Sequence, residues 1–373
     1  MCYSADMTRS PIDPGTAHDD PPSLPSPYDP APRPEAELWF LPEGDAPGHG
    51  AGEAVALELS PRPRPHRVSL TPEAFLEAEA AQAAALARAA AALAALDEAV
   101  RRSGRGMAER LALIEAEAML RAEGGRAGRE EIARHLAQAL PADRHRPDIA
   151  RAAWAVRRLL AAPGPPGELR AFLGLHRVDS AALPEDLQPR PVGSDFDLAA
   201  AAFQHGMGAL APAHPLTRAA WGFELWHRAG LSAEGAVAEP ATAAARIAAQ
   251  ENRALGFAPL SPARGTWERR GTAEARLAQW LRAVDDGARA AMLEIARVET
   301  WTTRAREAAG AMKGRGPAAL VEALAVRPML TTDTAATLAG LSRDTAERGL
   351  ARLHRMGLVR ELTGQGRFRL WAV

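Results

Sequence analysis

Arginines between residues 317 and 373 are the side chains whose type and spacing best suit a chemical task, the binding of a polyanion. This segment carries eight arginines and five acidic residues, a net charge of +3, so residues 1–316 carry −4 of the total of −1. The whole chain therefore has no general attraction to polyanions, although its C-terminal end has one. A basic module on a mildly acidic body is typical of a nucleic-acid-binding protein.

The residues before and after Gly340 have the pattern of a helix-turn-helix. Thr331 or Thr332 is suited to cap a short helix, Gly340 permits a left-handed turn, and Ser342 is suited to cap the helix that follows. An apolar helix is predicted before them and stops ahead of Pro328. Small residues stand where the two helices of such a motif must approach closely, at Ala336, Gly340 and Ala346.

The helix after Ser342 is predicted to be the recognition helix. Such a helix reads base edges with its N-terminal residues, while its flanks contact phosphates. We expect Arg343 and Arg348 at base edges and Arg352 and Arg355 at phosphates. The other candidate DNA contacts are polar residues at the start of the helix: Ser342, Asp344, Thr345 and Glu347.

The closing stretch "LVRELTGQGRFRLWAV" consists of two short alternating runs joined by a Gly-rich turn, Thr363–Gly366. Alternation predicts a hairpin in which Arg367 and Arg369 point away from the face that carries Phe368 and Leu370. Beside a helix-turn-helix this hairpin is a wing, and its arginines suit a phosphate backbone or a minor groove. The alternative is a winged helix that serves only packing or protein contact.

The rest of the chain is predicted to be helical. An Ala-rich helix is expected from Thr71, which can cap it, to about Arg102. Further helices are expected at roughly 107–123, 128–140, 147–161, 194–210, 215–229 and 240–255. Residues 1–70 are rich in proline and mostly disordered, residues 71–316 form a helical body, and residues 317–373 form the winged helix-turn-helix. The last body helix starts near Thr272 and carries one apolar stripe, interpreted as an intramolecular bundle face, with a dimer seam as the alternative. The stripe contains Leu277, Leu281, Val284, Ala288, Met292, Ile295 and Val298.

Two C-terminal stretches, "RPMLTTDTAATLAGLS" and "LVRELTGQGRFRLWAV", resemble those of a family of helix-turn-helix proteins from rhizobia and their relatives. Looser similarity extends back to about residue 90. The C-terminal segment is also similar to the winged helix of Fic-type proteins. The resemblance implies a DNA-binding domain attached to a helical body.

The stretch "EAEAMLRAEGGRAGREEI", Glu115–Ile132, resembles the N-terminal segment of Fic proteins. Their inhibitory motif is a Ser or Thr followed four residues later by Glu-Gly. Glu123 and Gly124 match that motif, but Met119 stands where the hydroxyl residue is expected. The body is therefore similar to a Fic-like scaffold that departs from the family's pattern.

The catalytic loop of Fic proteins reads His-Pro-Phe, two residues, then Gly-Asn-Gly-Arg. The nearest text here, "HPLTRAAWG", begins at His214 and has neither the glycine-rich cradle nor the arginine. Without them AMP transfer loses its positioning and its charge stabilisation. His214-Pro215 is therefore interpreted as a helix start and no enzyme is expected. A divergent nucleotidyl transferase centred on His214 is the enzymatic alternative.

No sequence pattern predicts a metal or cofactor site. The ten histidines form no metal-ligand spacing, no phosphate-binding loop is present, and Asp195, Asp197 and His205 do not share a helix face. Three aromatic residues of the body are predicted to pack in the core, with an apolar ligand pocket as the alternative: Trp221, Phe223 and Trp226.

Compartment signals favour the cytoplasm. No segment approaches eighteen uninterrupted apolar residues, so no membrane span is expected. The single cysteine, Cys2, cannot form an intrachain disulfide, and residues 1–35 lack an apolar signal region.

These features predict an all-α protein: a multi-helix body with a small C-terminal winged helix-turn-helix and a two-stranded wing. The predicted function is a DNA-binding transcriptional regulator whose body dimerises or senses a signal. A homodimer on two half-sites of double-stranded DNA is expected. The alternative is a scaffold for protein interaction or of the toxin–antitoxin type.

Overall fold

The computed structural model describes residues 70–137, 146–162, 164–175, 190–260, 266–327, 329–364 and 369–373. The predicted Pro-rich segment lies outside these residues except for Leu70. The described residues form one compact unit that is predominantly helical, with a small antiparallel sheet at its C-terminal end. The predicted boundary between body and C-terminal segment at residue 316 stays a prediction.

Ten helices precede the C-terminal segment in the described residues. They are α1 Pro72–Ala81, α2 Ala83–Ser103, α3 Arg105–Ala122, α4 Arg129–Leu136, α5 Pro147–Leu159, α6 Leu169–Leu173, α7 Gly193–Gly208, α8 Pro215–Arg228, α9 Ala238–Ala248 and α10 Ala273–Gly310. The single helix expected from residue 71 to 102 is divided at Gln82, and α6 was not predicted. The helix expected over 240–255 ends at Ala248.

Side-chain caps start the helices that the sequence predicted most clearly. The Thr71 hydroxyl accepts a hydrogen bond from the amide of Ala74 at 3.2 Å, and Pro72 fills the first turn of α1. The Thr272 hydroxyl likewise accepts from the amide of Ala275 at 3.2 Å and starts α10.

The body core lies mainly between α10 and α2, with α8 packed on α9 beside it. The predicted apolar stripe of α10 is buried within the chain except for Met292, which is 36% exposed. An amphipathic stripe that is covered by other helices of the same chain removes its apolar surface from water. The stripe is therefore an intramolecular face, as predicted.

The C-terminal segment consists of α11 Gly316–Val326, β1 Met329–Thr331, α12 Thr332–Ala339, α13 Arg343–Arg355, β2 Arg360–Glu361 and β3 Leu370–Ala372. The sheet order is β1-β3-β2, and both pairings are antiparallel. The two closing runs pair as predicted, since β2 lies antiparallel to β3, but β1 was not predicted; it adds a third strand and places Leu330 opposite Trp371. The three residues of β1, the last of which is the cap Thr331, are too few to show strand alternation.

The last turns of α10 and the C-terminal segment share one apolar cluster. Trp301 and Ala305 of α10 pack in it with Leu320, Leu350 and Trp371. The Trp301 indole donates to the carbonyl of Leu358 at 2.6 Å, and the Trp371 indole donates to the Thr332 hydroxyl at 3.0 Å. Buried indole N–H groups need such partners, so these bonds fix how α10, α12 and the sheet meet.

Candidate nucleic-acid interface

The turn between α12 and α13 spans three residues, each with a local structural role. Gly340 adopts φ 62° in the left-handed region, and the amide of Leu341 returns to the carbonyl of Ala336 at 2.9 Å. The Ser342 hydroxyl then accepts from the amide of Thr345 at 3.3 Å and caps α13. Thr331 caps α12 in the same way, through the amide of Thr334 at 3.1 Å.

The inner face of α13 packs closely on α11. Ala346, Leu350 and Leu353 are fully buried. A Cβ atom added at Gly349 would lie 2.4 Å from Cδ1 of Leu320, so any larger residue there would require the Leu320 side chain to shift. This contact fixes which side of α13 faces solvent.

The outer side of α13 carries most of the predicted DNA contacts. Exposed side chains on it are Ser342, Arg343, Asp344, Arg348, Arg352 and Arg355, while Thr345 and Glu347 are half-buried. Arg348, Arg352 and Arg355 recur every three to four residues and form an arginine face about 10 Å long. Among the described residues, none of these three arginines forms an ion pair, although Nε of Arg348 donates to the carbonyl of Asp344 at 3.2 Å.

Arg343 and Arg369, by contrast, are each paired with an acid. Arg343 lies 2.9 Å from Asp333 of α12, and both side chains are more than half exposed. Arg369 lies 3.4 Å from Glu347, so the structure brings these two predicted contacts together. Exposed ion pairs contribute little to stability, so the Arg343 guanidinium can exchange Asp333 for another partner.

The start of the hairpin turn is held by Glu361. Its carboxylate accepts hydrogen bonds from the amide of Thr363 at 2.8 Å, from the amide of Gly364 at 2.9 Å and from the Thr363 hydroxyl. Burial acts to raise the pKa of Glu361, but these hydrogen bonds outweigh it and lower the pKa below its usual value. The predicted contact Arg367 lies outside the described residues, as does Phe368.

Further cations near this face were missed at the level of sequence. A Cβ atom at Gly316 would lie 3.7 Å from Leu341 and 3.9 Å from Thr345, so α11 begins beside the start of α13. The exposed Lys313 and Arg315 just before it add positive charge at that end. Arg360 of β2 is also exposed and lies 3.4 Å from Glu130 of α4. The position of Arg360 in the alternating run was the signal in the sequence that could have identified it as a further cation of this face.

The residues matched to Fic motifs have structural partners here. His214 caps α8, with Nδ1 accepting from the amide of Leu216 at 3.1 Å, as the predicted helix start requires. Glu123 accepts from the amides of Val237 and Ala238 at 2.7 and 2.8 Å, at the start of α9. The side chains of His214 and Glu123 therefore each accept hydrogen bonds from amides at the start of a helix.

The three aromatic residues of the body pack in the core as predicted, since Trp221, Phe223 and Trp226 are at most 3% exposed. A cavity of about 410 Å³ lies beside Phe223, His227 and Trp267. Burial, aided by the positive charge of Arg269, lowers the pKa of His227 to about 4. His227 is therefore neutral at pH 7.

The part of the chain that the structure describes contains neither a metal-binding group of side chains nor a membrane-spanning helix. No three His, Cys, Asp or Glu side chains are grouped there so that they could hold a metal ion. None of the helices in those ranges combines the length and apolar character needed to cross a bilayer.

Comparison with known proteins assigns no family: no protein-family model matches the sequence, and no curated protein matches it.

Proposed function

We propose that this protein is a DNA-binding transcriptional regulator whose C-terminal segment acts as a winged helix-turn-helix. The observation that carries the proposal is the arginine face of α13. Three exposed guanidinium groups without a described acidic partner lie on one side of a helix that a three-residue turn and two caps hold firmly. Such a surface suits the closely spaced negative charges of a duplex.

In this proposal α13 lies in the major groove. Its first turns carry Arg343, Asp344 and Arg348 to base edges, where an arginine binds guanine with two hydrogen bonds. Arg352 and Arg355, one and two turns further along, contact phosphates. Ser342, Thr345 and Glu347 supply the remaining polar contacts or orient the arginines.

The wing adds backbone contacts. Arg360 lies in β2 and Arg369 directly precedes β3. With Arg367, which lies outside the described residues, they would meet phosphates beside the groove. The pair between Arg369 and Glu347 then orients the wing against the recognition helix. A two-fold dimer would place two such modules on two half-sites.

The test is selection of retained duplexes from a random-sequence pool at two salt concentrations, with the full chain. We expect an enriched motif whose affinity falls steeply as salt rises. Arg348→Ala should relax base preference at one position, at a cost of about 1–3 kcal/mol, and Arg352→Ala should weaken all sequences evenly and reduce the salt slope by about 1.

Arg282→Ala is the matched control, because Arg282 is an exposed arginine on α10, far along the chain from α13, and has no described ion pair. It should behave as wild type. Retention without an enriched motif, unchanged in Arg348→Ala, would contradict the proposal.

A protein-interaction scaffold is the second candidate, and one observation favours it. Leu338 of α12 is 48% exposed, and Met356 at the end of α13 is 46% exposed. An exposed apolar side chain is available to pack against a protein partner, and a contiguous patch of them marks an interaction site. Leu338→Ala should leave DNA selection unchanged if the segment binds DNA through α13, and should weaken partner binding if it binds protein.

A further inference from the structure

A cavity of about 310 Å³ lies where three body helices meet the C-terminal segment. Helices α3, α4 and α5 supply one side, while β1, the start of α12 and Leu370 of β3 supply the other. Its volume is within the range of small-molecule sites, and a site between two parts of a fold is a frequent place for one.

The wall of the cavity is mainly apolar. Leu113, Leu136, Val156 and Leu160 line it from the body, and Met329 faces them from β1. Leu113 and Val156 are buried, and Leu136, Leu160 and Met329 are half-buried. A ligand that fits this wall must therefore present an apolar part.

The charged groups at the cavity do not balance. Glu109 is paired with Arg327 at 2.9 Å, and Arg110 is paired with Glu294, so these charges are matched. Arg157 of α5 also lines the cavity, is exposed, and forms no ion pair with a described residue. The hydroxyls of Thr331 and Thr334, which also line the cavity, bond to each other at 2.9 Å. Of the charged groups at the cavity, the guanidinium of Arg157 therefore remains to bind an anionic group.

We propose that this cavity binds a small amphipathic carboxylic acid, with its apolar chain against the leucines and its carboxylate on Arg157. The carboxylate matches the planar guanidinium, which can hold it with two parallel hydrogen bonds. The cavity is too small for a folded segment, and its single unmatched charge selects an acid over a neutral or cationic ligand.

The position of the cavity links it to the proposed function, on which this step rests. Thr331 lines the cavity and also caps α12, the first helix of the turn motif. A ligand that contacts both the body and β1 stabilises the arrangement in which the arginine face of α13 is exposed. Bound acid should therefore raise DNA affinity about fivefold or more, through coupling between the two sites.

Binding is tested first without DNA, by calorimetry with octanoate and with 1-octanol as its uncharged counterpart. We expect octanoate to bind the full chain more tightly than 1-octanol. Arg157→Gln should weaken octanoate about tenfold while changing 1-octanol less than about twofold, since only the acid uses the charge. Arg282→Gln serves as the matched arginine control and should change neither.

A filled cavity provides the second arm. Ala133 lines the cavity and is 7% exposed, and Ala133→Phe should abolish binding of both probes while circular dichroism verifies that the helices persist. No binding of octanoate, equal binding of both probes, or binding that survives Ala133→Phe would each overturn the site.

Measuring DNA affinity with and without octanoate distinguishes a failure of this ligand site from a failure of the proposed function. Octanoate that binds and raises the affinity of wild type for its selected duplex, but not that of Arg157→Gln, supports the coupling. Octanoate that binds without changing DNA affinity overturns the coupling and leaves the ligand site in place. Octanoate binding by a chain that selects no DNA supports the site and overturns the DNA-binding proposal.

Discussion

His227 shows how one residue's surroundings determine its chemistry. Its ring packs edge-on against Phe223 with 5.0 Å between centroids, and Nε2 is buried without a hydrogen-bond partner among the described residues. Protonation would place a charge in this apolar site beside Arg269, which is why its pKa falls to about 4. His227 therefore couples the stability of the body to pH.

His227→Phe should reduce the acid sensitivity of folding. The pKa of His227 is near 6.5 in the unfolded chain and about 4 in the folded chain, so the unfolded state gains a proton first and stability falls from pH 6.5 towards 4. Because His227 is partly exposed, solvent screening reduces the effect of its pKa shift on stability. The free energy of unfolding of wild type should therefore fall by about 1–2 kcal/mol more than that of the variant between these pH values. Urea unfolding at pH 7 and pH 4.5 measures the difference; equal losses in both chains would contradict it.

At the scale of elements, α9 begins where a carboxylate distant in sequence caps it. The Glu123 side chain follows α3 but accepts the first amides of α9, and Arg151 of α5 lies 2.6 Å from its other oxygen. One carboxylate therefore ties three helices together. The position that resembles the Glu of a Fic inhibitory motif here stabilises a helix N-terminus.

Glu123→Ala should lower the free energy of unfolding by about 2 kcal/mol, because two buried amides lose their acceptor. Glu123→Gln keeps an oxygen for the amides but loses the ion pair with Arg151, so it should lie between wild type and Glu123→Ala. Glu98→Ala removes an exposed pair with Arg101 and is the control, for which little change is expected. Urea denaturation gives the free energy of unfolding of each variant. If Glu123→Ala were as stable as Glu98→Ala, Glu123 would not act as the cap of α9.

Elements with a local signal could be predicted, and those without one could not. The sequence predicts the helices that begin after Thr71, Thr272 and Ser342, because a hydroxyl cap accepts a hydrogen bond from an amide only two or three residues away. The early end of α9 and the pairing of β1 depend on packing against other parts of the chain. Within the site, burial of Leu350 and exposure of Arg348 followed from helical spacing, but the pairs of Arg343 and Arg369 required knowledge of the tertiary fold.

At the scale of the whole molecule, the body and the C-terminal segment meet through close contacts and buried charge. A Cβ atom at Gly106 of α3 would lie 1.7 Å from the carbonyl of Val326, so glycine is required where α3 meets the end of α11. Beside it, Arg110 and Arg297 each donate to the backbone oxygen of Val373, at 3.3 and 3.2 Å. Glu294 of α10 is hydrogen-bonded to both arginines.

Glu294→Gln should test how strongly this junction holds. Burial acts to raise the pKa of Glu294, but hydrogen bonds and charge from Arg297 and Arg110 outweigh it and lower the pKa. Because the pKa is lower in the folded than in the unfolded chain, Glu294 stabilises the fold above about pH 4.5, and this contribution is lost as pH falls further.

The variant leaves the Arg110 guanidinium, only 8% exposed, without its carboxylate. Breaking a buried pair from one side costs about 3–5 kcal/mol, because an arginine cannot shed its charge. Glu322→Gln breaks the exposed pair between Glu322 of α11 and Arg306 of α10 and should cost little. If urea unfolding gave the two variants equal stability, the junction would depend on apolar packing at Gly106 and not on charge. A larger loss for Glu294→Gln would show that the ion network contributes more to the stability of the junction than the exposed pair does.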